Sequence, residues 1–144
     1  MSRSYKLIKK FIDKIYMKIF YIKTELLGID VVTEISPQDS GLDPTKVKRC
    51  THSNTRYLKR VLNKLSINKD DSILDIGCSK GGALLCMSNF KFKRIAGLEI
   101  SNTLAEVAKS NFNKLGNKNV EIINIDALNY ESYDKFNIFY FFNS

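Results

Sequence analysis

Apolar residues recur at steps of three and four near the start of the chain: Leu7, Ile8, Phe11, Ile12, Ile15, Ile19, Ile22 and Leu26. That spacing predicts a single helix over 4–27. Lys6, Lys9, Lys10, Lys14 and Lys18 mostly occupy the rest of its surface, and Gly28 is a plausible terminator. Residues 29–50 lose the periodicity and hold Pro37, Gly41 and Pro44 among polar side chains, which predicts a linker or an ordered loop. A second helix follows, capped by Ser53 or Thr55, with Tyr57, Leu58, Val61, Leu62 and Leu65 as its apolar face.

After a turn at 67–71 the pattern alternates. Short apolar runs at 72–76, 94–99, 120–125 and 136–142 read as strands. Helical spacing at 82–89 and 103–115 separates the first three, and Leu104, Val107, Ala108 and Phe112 are expected to face inward. Short apolar strands joined by helices predict an α/β fold with a parallel sheet covered on both faces. The chain divides into a helix at 1–28, a linker or loop at 29–50 and an α/β part at 51–144.

Charge separates the same regions. Residues 1–27 hold seven basic and two acidic side chains, whereas 71–144 hold eight of each. A neutral core with a basic appendage points to an anionic partner for the appendage. Three readings of the first helix stay open. It packs on the domain or a neighbouring subunit, it lies on an anionic membrane surface, or it touches nucleic acid. The last is the weakest, because no aromatic platform or arginine cluster accompanies the lysines. Three cysteines without a CxxC pair and a single histidine exclude a zinc-ligand set. No apolar run approaches the length of a membrane span, and free thiols suit a reducing, cytoplasmic setting.

The chemistry gathers at the strand ends. Gly77, Gly81 and Gly82 form a turn between the first strand and the next helix. Such glycines let the chain turn sharply and clear side chains from a ligand's path. Asp75 precedes the turn and can pair with an ammonium group. Glu99 ends the second strand, 22 residues after Gly77, where a carboxylate can accept both hydrogen bonds of a ribose diol. Asp126 follows the third strand and can accept a hydrogen bond from an adenine amino group. Plainer roles stand beside these. Asp75 can cap a helix, Glu99 can be a solvated strand end, and Asp126 can cap a turn. His52 and Asn54 fit capping or exposed positions, Cys78 a small apolar filler, and Lys80 a solvated turn residue.

The run Asp75–Gly81 resembles the first motif of class I S-adenosylmethionine-dependent methyltransferases, written D/E-x-G-x-G-x-G. Ile95–Ile100 resembles the second motif, Ile123–Ala127 the third, and Asn137–Asn143 the fourth strand. The likeness covers residues 41–144. It implies a Rossmann-like sheet with its first four parallel strands present, and S-adenosylmethionine as cofactor without a metal. It also implies a cofactor site of Asp75, Gly77, Ser79, Gly81, Glu99, Ile100, Asp126 and Ala127, and methyl transfer to an unidentified acceptor. Asn143 is the candidate to touch a substrate amine. Two departures matter. Ser79 replaces the family's second glycine, and the sequence stops at Ser144 where family members continue, as expected of a C-terminally truncated member. Two alternatives remain open. One is a nicotinamide-dependent oxidoreductase using Gly77, Ser79, Gly82 and Glu99. The other is a non-catalytic remnant that binds a membrane or protein partner through 4–27.

Overall fold

The computed structural model describes residues 3–33, 35–36, 39–41 and 55–142. His52, Ser53, Asn54 and Asn143 lie outside the described residues. Helix α1 spans Arg3–Leu26 and α2 spans Thr55–Leu62. Then come β1 (Ser72–Ile76), α3 (Gly82–Met87), β2 (Arg94–Glu99), α4 (Asn102–Lys114), β3 (Val120–Asn124) and β4 (Ile138–Phe141).

The strands form one parallel sheet in the order β3-β2-β1-β4. This is a Rossmann-like order, with β1 at the switch point between β2 and β4. On one face Ile73, Ile95, Ile122, Ile138 and Tyr140 pack with Leu58 and Leu62 of α2, Leu84 and Met87 of α3, and Phe112 of α4. On the other, Leu74, Ala96 and Leu98 pack under Phe136, Tyr130 and Tyr133. These aromatics belong to the β3–β4 connection, which holds two 3-10 turns at Ala127–Asn129 and Tyr133–Lys135. Asn137 fixes the entry to β4. Its Oδ1 accepts the Ser72 N–H at 2.7 Å and its Nδ2 donates to Asp71 Oδ1 at 2.7 Å.

Several elements differ from the sequence pattern. Of the predicted apolar face of the second helix only Leu58 and Leu62 are buried, while Tyr57, Val61 and, past the end of α2, Leu65 are exposed. In α4 Val107 is half-buried and Ala105 joins the inward face. Phe136 precedes β4 and fills the lower core instead of extending the strand. The larger difference is in α1, whose apolar stripe does not pack on the domain. Its inward side carries Asp13, Tyr16, Met17, Phe20 and Thr24, with Arg56 of α2 paired to Asp13. Beyond Gly28 the chain is fixed: Ile29 and Val31 are buried, and the Asp30 N–H donates to Asn111 Oδ1 at 3.0 Å.

Candidate functional site

The turn after β1 is hooked onto β2. The N–H groups of Gly77 and Cys78 both donate to the Leu98 carbonyl at 2.9 Å. Gly77 adopts φ 77° and Gly81 φ 86°, conformations that a side chain disfavours. A Cβ on Gly81 would also lie 2.7 Å from Phe112 Cε2, so this glycine lets α4 pack against the turn. Gly82 is under no such demand, since its Cβ would meet nothing closer than the Val31 carbonyl at 3.6 Å. At Gly81 the cleared space borders Phe112 of α4, and at Gly82 it borders Val31. The close neighbours are protein atoms. Ser79 takes φ 50°, the strained left-handed conformation in a residue with a side chain.

Sequence reasoning missed Gly97, on β2 opposite Asp75. A Cβ there would come within 2.6 Å of Cys78 Cβ and of Leu84 Cδ1. The absent side chain lets the turn and α3 close onto the sheet. The sequence signal was a lone glycine inside a strand, which marks a close approach.

Glu99 is 5% exposed, so it is not a solvated strand end. Its two oxygens are held separately. Oε2 accepts the Ser79 N–H at 2.7 Å and Oε1 accepts the Ser101 N–H at 2.9 Å. Burial raises its pKa, and these backbone donors oppose the rise. Two carboxylate oxygens offer about four acceptor sites, so acceptor capacity remains for a ligand. Asp75 is 3% exposed and caps no helix, since the N-cap of α3 is Gly81 and no side chain caps that helix. Burial, and then the charge of Glu99, push it up to about 8. Among the described residues no cation is paired with it.

Asp126 lies at the end of β3, where its Oδ1 accepts the Leu128 N–H at 2.9 Å and caps the first 3-10 turn. The capping role is real and engages one of its two oxygens. Ile100 is 48% exposed beside Glu99 and presents an apolar surface at the same sheet edge. Ala127 is half-buried next to Asp126. Lys80 corrects an expectation, because it is a buried ion-pair partner and not a solvated turn residue. Its Nζ reaches Asp30 Oδ2 at 2.6 Å and the Thr33 carbonyl at 2.9 Å. Asn111 Nδ2 adds bonds to the Asp30 and Lys80 carbonyls at 2.8 and 3.0 Å. Burial works to raise the Asp30 pKa, but the Lys80 and Thr33 bonds outweigh it and leave it lowered. Cys86 is no nucleophile, since burial pushes its thiol up to about 11.

The donor set fits a ligand with a cationic end and a ribose. Asp75 is a buried carboxyl group with no cation paired to it among the described residues; its ionised form is costly there, and an ammonium would relieve that cost. Glu99 is fixed by two amides with acceptor capacity left over.

Comparison with known proteins agrees with this geometry. Over 62 residues the chain is 34% identical to a probable cobalt-precorrin-6B C(15)-methyltransferase (decarboxylating) of Methanocaldococcus jannaschii. The match covers 43% of this chain and 33% of that protein, so the chain spans about a third of its relative's length. Among solved structures, a protein-L-isoaspartate O-methyltransferase superposes with a TM-score of 0.56 at 21% identity, covering 65% of this chain and 31% of that one. That likeness shows the fold. These matches name methyltransferases and give the nicotinamide alternative no support. Residues 73–144 match the model of the methyltransferase domain family, and the chain belongs to that family.

Proposed function

We propose that this chain is the S-adenosylmethionine-binding part of a methyltransferase whose acceptor is unidentified. The observation that carries the reading is Asp75, a buried carboxyl group with no cation paired to it among the described residues, beside the fixed carboxylate of Glu99. Asp75 holds the ammonium of the methionine end, and Gly77, Ser79 and Gly81 line it. Glu99 accepts hydrogen bonds from the ribose diol, Asp126 one from the adenine amino group, and Ile100 and Ala127 flank the adenine. When bound, the cofactor supplies an electrophilic methyl group on a sulfonium. The chain's own contribution is to fix that group's position and keep water from it. Asn143 is assigned to the acceptor side, taking a hydrogen bond from a substrate amine. We divide the chain into an N-terminal helix (1–28), a connecting segment (29–50) and the cofactor-binding part (51–144). The protein is assigned to the cytoplasm, with α1 as its contact to an anionic surface or a protein.

Thermal denaturation with and without ligand tests this. A ligand that binds only the folded state raises Tm. S-adenosylmethionine and S-adenosylhomocysteine are expected to raise it, and NADH to leave it unchanged. No shift with either sulfur ligand at millimolar concentration overturns the proposal.

A further inference from the structure

Helix α1 is turned the wrong way for a helix that serves the core. The side facing the domain carries Asp13, Tyr16, Met17, Phe20 and Thr24. The isoleucine-rich stripe faces outward, with Phe11 64%, Ile19 62% and Leu26 83% exposed. At 3.6 residues per turn, the exposed Lys14 and Lys18 run along one border of the stripe and the exposed Lys23 along the other. Of the two acids, Asp13 is paired with Arg56 on the inward side, and Glu25 lies near the helix end. An outward apolar stripe edged by lysines matches a bilayer interface carrying negative headgroups. A second copy of α1 laid on this face would bring lysines against lysines, which is repulsive. No helix among the described residues is long and apolar enough to cross a membrane, so the fit is to the surface.

We propose that α1 lies flat on an anionic bilayer surface, with its isoleucine stripe inserted among the lipids and its lysines on the headgroups. The helix is joined to the domain near its middle, through Asp13–Arg56, and beyond its C-terminal end, through Asp30–Lys80 just past Gly28. Docking therefore sets the orientation of the glycine turn relative to the membrane. Membrane docking of α1 deepens its proposed surface contact and is independent of what the sheet edge binds.

Vesicle co-sedimentation of the full chain tests it. Vesicles of phosphatidylcholine alone are compared with vesicles of equal parts phosphatidylcholine and phosphatidylserine. The chain is expected to pellet with the mixed vesicles, less so at high salt. Lys14→Gln and Lys18→Gln are each expected to weaken partition about fivefold. The double variant Ile15→Asp/Ile19→Asp removes apolar insertion and is expected to cost at least about tenfold. Both isoleucines are exposed, so the fold survives, as an unchanged urea midpoint would show. Equal pelleting of this variant and the parent, or no pelleting at all, overturns the proposal. So does self-association without lipid that the same variant abolishes, which would assign the face to a second copy. The ligand-induced Tm shift is unaffected by these variants, so failure here and failure of the cofactor reading are separable.

Discussion

Glu99 and Ser79 are joined across 20 residues by a 2.7 Å hydrogen bond from the Ser79 N–H to Glu99 Oε2. The bond ties the end of β2 to the left-handed residue of the glycine turn. With the Ser101 bond to Oε1, it uses both oxygens of one buried carboxylate. Glu99→Gln can offer only one oxygen to two N–H donors. Its amide NH2 must face the other donor, which leaves a buried group unsatisfied. The expected loss is about 1–3 kcal/mol in urea denaturation, with weaker cofactor binding. An unchanged midpoint would contradict this role for Glu99.

Ser79 holds φ 50° where relatives of this motif carry glycine. Glycine reaches that region without the Cβ clash. Ser79→Gly is therefore expected to stabilise the chain by up to about 1 kcal/mol, because the backbone strain it removes is of that order. Urea midpoints give the answer, and a clear loss of stability would show that the residue is not strained.

Gly97 has no room for a side chain. Ala at this position would place its Cβ 2.6 Å from Cys78 Cβ and Leu84 Cδ1. Gly97→Ala is expected to cost about 1–3 kcal/mol through overpacking. It should also displace the turn, so cofactor affinity falls with stability. A Cβ on Gly116 would meet nothing within 4 Å, but this residue takes φ 63°. Gly116→Ala is then expected to lose only the backbone term, about 1–2 kcal/mol, with cofactor affinity retained.

The strands were legible because each is a short apolar run bounded by turn residues, and β1 and β2 have the predicted limits, 72–76 and 94–99. The carboxylates at their ends were legible for the same reason, since strand ends place Asp75 and Glu99. What the sequence hid depends on distant partners. Lys80 looks like a turn residue until Asp30, 50 positions earlier, is found beside it. Asn111 looks like one more polar residue of α4 until it bonds the Asp30 backbone, 81 positions away. Periodicity located the apolar stripe of α1 but not the side on which the domain lies. The β3–β4 connection carries no helical period. Its Tyr130, Tyr133 and Phe136 cover a sheet face through packing that no period marks.

The ionisation of Asp75 is open to a pH measurement. Burial raises its folded-state pKa from 3.8 to about 8. Between those values the folded chain holds a proton that the unfolded chain has lost, so stability falls as pH rises through that window and levels off above it. Asp75→Asn is expected to remove this slope and to be more stable than the parent at pH 8, because it buries no charge.

A cationic ligand at Asp75 favours the ionised carboxylate, so binding at pH 7 must expel the proton. Calorimetric titration with S-adenosylmethionine, repeated in buffers of different ionisation enthalpy, counts that proton. The account predicts release of about one proton per ligand bound, with both the release and most of the affinity lost in Asp75→Asn. Equal affinity in the parent and in Asp75→Asn, with heats independent of the buffer, would contradict it.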